Sequence, residues 1–100
     1  MATIVHKSAW PTNSSKMVGE IFMGMTQPPA FMKMIWVGVE GIEREGIRGL
    51  ILWQCEDSQI AEAYTYIRKD IARYFEIPGY TYSYSIWTEP EEALKMVGLM

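Results

Sequence analysis

The sequence predicts an α+β domain in which six elements run β-α-β-β-α-β, followed by a short helix. Three observations predict it. Four stretches are rich in β-branched and aromatic residues, two others repeat apolar residues at helical spacing, and Pro/Gly breaks separate them. The chain of 100 residues forms one domain, 1–100, with 88–100 as a short C-terminal extension.

Residues 2 to 9 are apolar and β-branched, and Pro11 closes them as a first strand. Asn13 or Ser14 is placed to cap the next element. There Met17, Val18, Ile21, Phe22 and Met25 recur with the period of a helix. Gly19 and Gly24 weaken that helix by roughly 1 kcal/mol each relative to Ala, and the proline pair in "TQPPAF" ends it. Runs 32–40 and 48–55 flank a polar, Gly-containing connection and read as a hairpin. Asp57 or Ser58 is expected to cap a second helix. Its apolar stripe is Ile60, Ala63, Tyr64, Ile67, Ile71 and Tyr74, while Glu62, Arg68, Lys69 and Asp70 face water. Pro78 and Gly79 stop it. In "GYTYSYSIW" Tyr80, Tyr82 and Tyr84 alternate with Thr81, Ser83 and Ser85 as a fourth strand. Thr88-Glu89-Pro90-Glu91 matches a capping box before a terminal helix that carries Ala93, Leu94 and Val97.

Right-handed crossovers put both main helices on one face of a single antiparallel sheet. The opposite face would then be bare, yet the central strands are apolar on both sides. Leu50 and Leu52 oppose Ile51 and Trp53, and Ile35, Val37 and Val39 oppose Met34 and Trp36. A second copy packed sheet against sheet is the simplest cover, so a homodimer through the sheet face is expected, with a heteromeric partner as the alternative.

Several function classes fall away on composition. The net charge is -3, and the nine basic residues are scattered, which argues against nucleic acid. No apolar run is long enough to cross a bilayer, and the start of the chain lacks a signal-peptide pattern, so a cytoplasmic location and no membrane partner are expected. Cys55 is the only cysteine and sits in an apolar run, where an inert buried thiol is expected. One His, one Cys and no acidic cluster at ligand spacing predict no metal site, and the glycines of the hairpin do not form a phosphate loop.

The segments "GLILWQCED", "YFEI" and "TEPEEA" carry a resemblance to a family of small stand-alone prokaryotic proteins of unknown function, within the ferredoxin-like, dimeric α+β barrel group. The likeness covers nearly the whole chain. It lies in the acidic pair Glu56-Asp57 that starts helix two and the Phe75-Glu76 turn that leaves it. The dense aromatics of strand four and the "QPPAF" loop depart from that pattern. The resemblance implies a dimer and carries over no catalytic residues; no cofactor is expected from the residues themselves. The wider group includes cofactor-free monooxygenases, isomerases, haem proteins and stress proteins, and fold alone does not choose among them.

Two sets of side chains are candidates for a site. His6, the only histidine, has a pKa suited to proton transfer and is the candidate catalytic residue, on the same side of its strand as Ile4 and opposite Val5 and Lys7; the plainer reading is a silent, hydrogen-bonded side chain at the sheet or dimer surface. The aromatics Trp36, Trp53, Tyr82, Tyr84 and Phe22 are the candidate ligand-binding residues, in a cleft between sheet and helices closed by helix one and the "QPPAF" loop. Tyr82, at mid-strand, is the expected pocket hydroxyl. The same rings could instead fill the core and the dimer seam. The expected function is therefore a small dimeric protein that binds a small hydrophobic or aromatic ligand. The alternatives are a cofactor-independent monooxygenase- or isomerase-like enzyme using His6, Tyr82 and Trp36, or a purely structural subunit.

Overall fold

A computed structural model describes residues 1–42 and 46–100. Strand β1 (Ala2–Trp10) is interior to a four-stranded antiparallel sheet. On one side it pairs with β3 (Gly46–Cys55), setting Ile4 opposite Trp53 and His6 opposite Ile51. On the other side it pairs with β4 (Thr81–Trp87), where His6 faces Tyr84. Strand β2 (Met32–Ile42) lies outside β3, giving the order β2-β3-β1-β4. The edges are thus β2 and β4. This α+β arrangement is compatible with a ferredoxin-like fold.

Helix α2 (Ile60–Ala72) lays Ala63, Ile67 and Ile71 on Ala2, Ile4, Trp53 and Cys55, a set that excludes water almost completely. Helix α1 (Ser15–Met23) is anchored more lightly, through Val18 against Trp10, Tyr74 and Ile77. Both helices therefore cover the face that carries the even-numbered residues of β1, as the crossover rule predicts. By register, the other face presents Val5 and Lys7 from β1, Leu50 and Leu52 from β3, and Ser83, Ser85 and Trp87 from β4. Neither α1 nor α2 reaches it.

Strand β2 departs from simple alternation. Its pairing with β3 slips between Met34 and Trp36, so Met34 lies opposite Trp53 and Trp36 opposite Leu52. The extra residue, Ile35, makes a bulge, which reverses the parity of everything after it. Met34 and Trp36, expected on one side, are on opposite faces. Val37 and Val39 move with the bulge to the side of Ile51 and Gly49. The Gly-containing connection expected between β2 and β3 lies, at 43–45, outside the described residues.

The helix starts also differ from the capping expected. A 3-10 turn at Thr12–Ser14 precedes α1, and no side chain caps the helix. The Ser14 hydroxyl instead donates to the Pro78 carbonyl at 3.0 Å, tying the start of α1 to the approach to β4. A second 3-10 turn, Asp57–Gln59, takes the place of the Asp57 or Ser58 cap on α2. Helix α3 (Pro90–Met96) begins after Glu89 rather than Thr88, with Pro90 in its first turn and no capping-box side-chain bond. Every residue of α3 is exposed. Gly79 has φ of +75°, and an added Cβ there would lie 2.5 Å from the Pro11 ring, so the approach to β4 requires glycine.

Candidate functional site

Between α1, α2 and the sheet lies a cavity of about 190 Å³. Alternation along β1 supplies its floor, because His6, Ser8 and Trp10 all point toward the helices. Gly49 of β3 completes that floor: a Cβ there would sit 2.8 Å from the Ser8 hydroxyl and 3.2 Å from the Trp10 ring. Val18, Gly19 and Phe22 of α1 form one wall. Asp70 from α2, with Tyr74 and Tyr80 after it, forms the other.

The aromatic wall is a stack. Tyr74 and Tyr80 are 4.9 Å apart at 14°, and Tyr80 and Trp10 are 6.2 Å apart at 15°. Three nearly parallel rings thus line one side of the space.

His6 is 4% exposed, and no protein group hydrogen-bonds either ring nitrogen. A buried polar atom left without a partner costs about 1–3 kcal/mol. Burial holds the His6 pKa below its ordinary value, because the imidazolium loses hydration, while the nearby Asp70 carboxylate works in the opposite direction. The ring is therefore neutral near pH 7, with one nitrogen a donor and the other an acceptor. Burial also raises Tyr74 and Tyr80, assisted in both by the Asp70 charge; the nearby Ser8 side chain partly offsets this for Tyr80. Both phenols remain protonated.

Asp70 was expected in solvent and is buried, at 6% exposure. Its charge is answered by Arg73, whose Nη2 and Nε donate to Oδ1 at 2.6 and 3.2 Å. The same guanidinium donates through Nη1 to the Ile21 carbonyl at 2.9 Å. The signal was present in the spacing. Ala63, Ile67, Asp70 and Tyr74 follow one another at four, three and four residues, which is one face of a helix.

The predicted site residues divide. His6 and Phe22 meet in the cavity. Trp53 is 1% exposed and edge-on to Tyr66, a core residue beyond the cavity's end. Tyr84 stands opposite His6, its hydroxyl accepting from Arg68 Nε at 2.9 Å and its ring meeting Tyr64 edge-on. Tyr82 is on the helix side but 45% exposed, stacked on Phe75 outside the cavity. Trp36 lies on the bare face, its indole over Gly38 in a shallow groove with Lys7, Arg48 and Leu50. The loop containing "QPPAF" does not close the cavity. It packs Met25 and Phe31 on the core near Trp53, and its Thr26 carbonyl accepts from the Tyr66 hydroxyl at 2.7 Å. Ser8, Asp70 and Tyr74 line the cavity without having been expected there, beside the strand aromatics Trp10 and Tyr80.

Among the described residues no helix is long and apolar enough to cross a membrane, and no three metal-ligating side chains cluster. Cys55 is buried, and its thiol pKa is raised chiefly by that burial. Comparison with protein-family models, curated proteins and solved structures finds no match to this chain.

Proposed function

We propose that this chain is a small, cytoplasmic, homodimeric binding protein whose sheet–helix cavity takes one small apolar or aromatic molecule without a cofactor. The observation that carries the reading is His6, buried in the wall of an otherwise largely apolar cavity with both nitrogens unpartnered by protein. Ligand sites have this character, an apolar enclosure with a few fixed polar atoms. A volume of about 190 Å³ is small for a ligand site. A dry cavity of about 150 Å³ accepts benzene, so the size suits one ring.

The dimer rests on different features. The protomer is only 18 Å thick, which is two layers, and its radius of gyration of 15.3 Å exceeds the roughly 13 Å of a compact chain this long. The third layer is missing over a face that exposes Trp36 at 53% and Trp87 at 57%. A second copy would supply it, in keeping with the resemblance to dimeric α+β barrels. A lone, buried thiol suits a reducing compartment.

A cofactor-free enzyme is the second reading, favoured by one feature. A neutral imidazole and two tyrosines, Tyr74 and Tyr80, line the same cavity, a pairing suited to proton transfer. A purely structural subunit needs no cavity, and the cavity weighs against it.

Native mass spectrometry of the purified chain tests the proposal. A dimer with a retained small molecule, or one that takes up a single-ring probe at one site per chain, supports it. A monomer removes the dimer, and a chain that binds no single-ring compound removes the ligand.

A further inference from the structure

We infer that α3 is a docking arm for a second copy of this chain, laying its apolar stripe on the partner's bare sheet face. The inference rests on the dimer reading above and assigns a further segment of the chain to the seam.

Local signals specify this helix closely. Pro90 stands at its first position, Glu91 and Glu92 lie in its first turn, and Lys95 lies in its last, as the helix dipole favours. Its end is a Schellman motif: the Gly98 amide donates to the Lys95 carbonyl at 3.1 Å and the Leu99 amide to the Leu94 carbonyl at 2.9 Å. Helical spacing puts Pro90, Ala93, Leu94 and Val97 on one side and Glu91, Glu92 and Lys95 on the other. Yet every residue of α3 is exposed, and none joins either buried cluster. A helix this short does not hold itself together in water. Its apolar side needs a surface, and its own protomer supplies none. The protomer as a whole exposes 6880 Å², whereas a folded monomer of 11.5 kDa exposes about 5,800 Å². The excess of roughly 1,000 Å² covers the ~800 Å² that each partner gives to a stable interface.

Charge and position choose the surface. Among the described residues of the strands, register puts Lys7, Lys33 and Arg48 on the bare face against Glu40 alone, so that face is net positive. On the arm Glu89, Glu91 and Glu92 outweigh Lys95. Two such arms repel each other, and each is drawn to the sheet. A shallow groove on that face has Val5, Leu50, Leu52 and Trp87 as its floor and ends at Thr88 and Glu89, where α3 departs. The chain's own α3 does not lie in it, for Val97 is 69% exposed. Because the arm leaves from the rim of the face that the second copy covers, a two-fold axis brings each arm beside the partner's groove.

The test is sedimentation equilibrium of the full chain and of its Leu94→Ala/Val97→Ala variant, together with isotope-filtered NOE spectra of a half-labelled wild-type sample. Both substitutions raise helix propensity and remove only exposed side chains, so neither α3 nor the protomer is expected to unfold. The variant is expected to dimerise about tenfold more weakly or worse, the loss of an anchoring contact. The Leu94 and Val97 methyls of one copy are expected to give NOEs to the partner's Leu50 and Leu52. Equal dimer affinity of variant and wild type overturns the arm and leaves the sheet seam standing. NOEs to the partner's α3, or only within one chain, overturn the docking site. A wild type that stays monomeric removes the dimer reading itself, and the arm with it.

Discussion

Asp70 and Arg73 are joined by an ion pair of 2.6 Å, and the Arg73 guanidinium also holds the Ile21 carbonyl of α1 at 2.9 Å. The buried carboxylate of the cavity wall is therefore part of the device that fastens the more lightly packed helix. A charge taken out of water needs a partner, and here the partner spans two elements.

Arg73→Met is expected to destabilise the fold by about 2–3 kcal/mol, because it strands Asp70. This lies at or below the low end of the range for a buried charge, as Arg73 itself is partly exposed. Asp70→Asn in the same chain is expected to restore part of the loss. Urea denaturation of the single and double variants measures both, and additive losses would show that the pair is not coupled.

His6 predicts a pH dependence of stability. Its folded pKa lies below 6.5, so the unfolded chain takes up the proton first as pH falls. Native stability is then complete above pH 6.5 and declines below it, by at most about 1.4 kcal/mol per pH unit. The charges facing the ring are those of Asp70 and, behind it, Arg73; the neighbouring Tyr80, its pKa raised by burial, is neutral in this range. Carboxylates contribute mainly below about pH 5. Thermal melts between pH 5 and 7 are expected to show this slope in the wild type and a flatter one in His6→Leu.

Gly49→Val is expected to close the cavity. The new Cβ would lie 3.2 Å from the Trp10 ring and 2.8 Å from the Ser8 hydroxyl, so the indole must shift into the space above it. The cost is about 1–3 kcal/mol of overpacking, accompanied by loss of binding of a single-ring probe. Tryptophan fluorescence and native mass spectrometry with a single-ring probe read the two effects; retained binding would place the ligand elsewhere.

Trp36→Lys is expected to give a folded monomer. The indole is half exposed on the bare face and belongs to no buried cluster, so its loss leaves the protomer intact while placing a charge in the proposed dimer seam. Sedimentation equilibrium with circular dichroism separates the two outcomes. An unchanged dimer would move the interface away from Trp36.

Much of the fold is legible in the residues, and the reasons are local. The proline pair at 28–29 and the Pro78–Gly79 break lie in non-helical segments, although α1 already ends at Met23 and α2 at Ala72 ahead of them, and the alternation of β1, β3 and β4 assigns each side chain a side. Alternation puts His6 on the side of Ile4 and opposite Val5, and the structure has it so. The site was less legible. Alternation gives relative sides but does not tell which side the helices cover, or how far along a strand they reach. Tyr80 is under the helices, Tyr84 is beside them and Tyr82 stacks on Phe75 at their margin, although the three share one side of one strand.

The sequence by itself determined the order of elements, the breaks between them, the two-sided apolar character of β3 and the sharing of one side of β1 by His6 and Ile4. Only the tertiary structure decided that Trp36 faces outward, that Asp70 faces inward, and that Trp10, Tyr74 and Tyr80 come together around His6. A one-residue bulge at Ile35 reverses a strand's parity without a strong mark in composition. A carboxylate can join a helix's buried stripe once a guanidinium three residues on compensates its charge. The bulge is set by the pairing of β2 with β3, and the local Asp70–Arg73 pair is turned inward by the bond of Arg73 to the Ile21 carbonyl of α1, a contact distant in the chain.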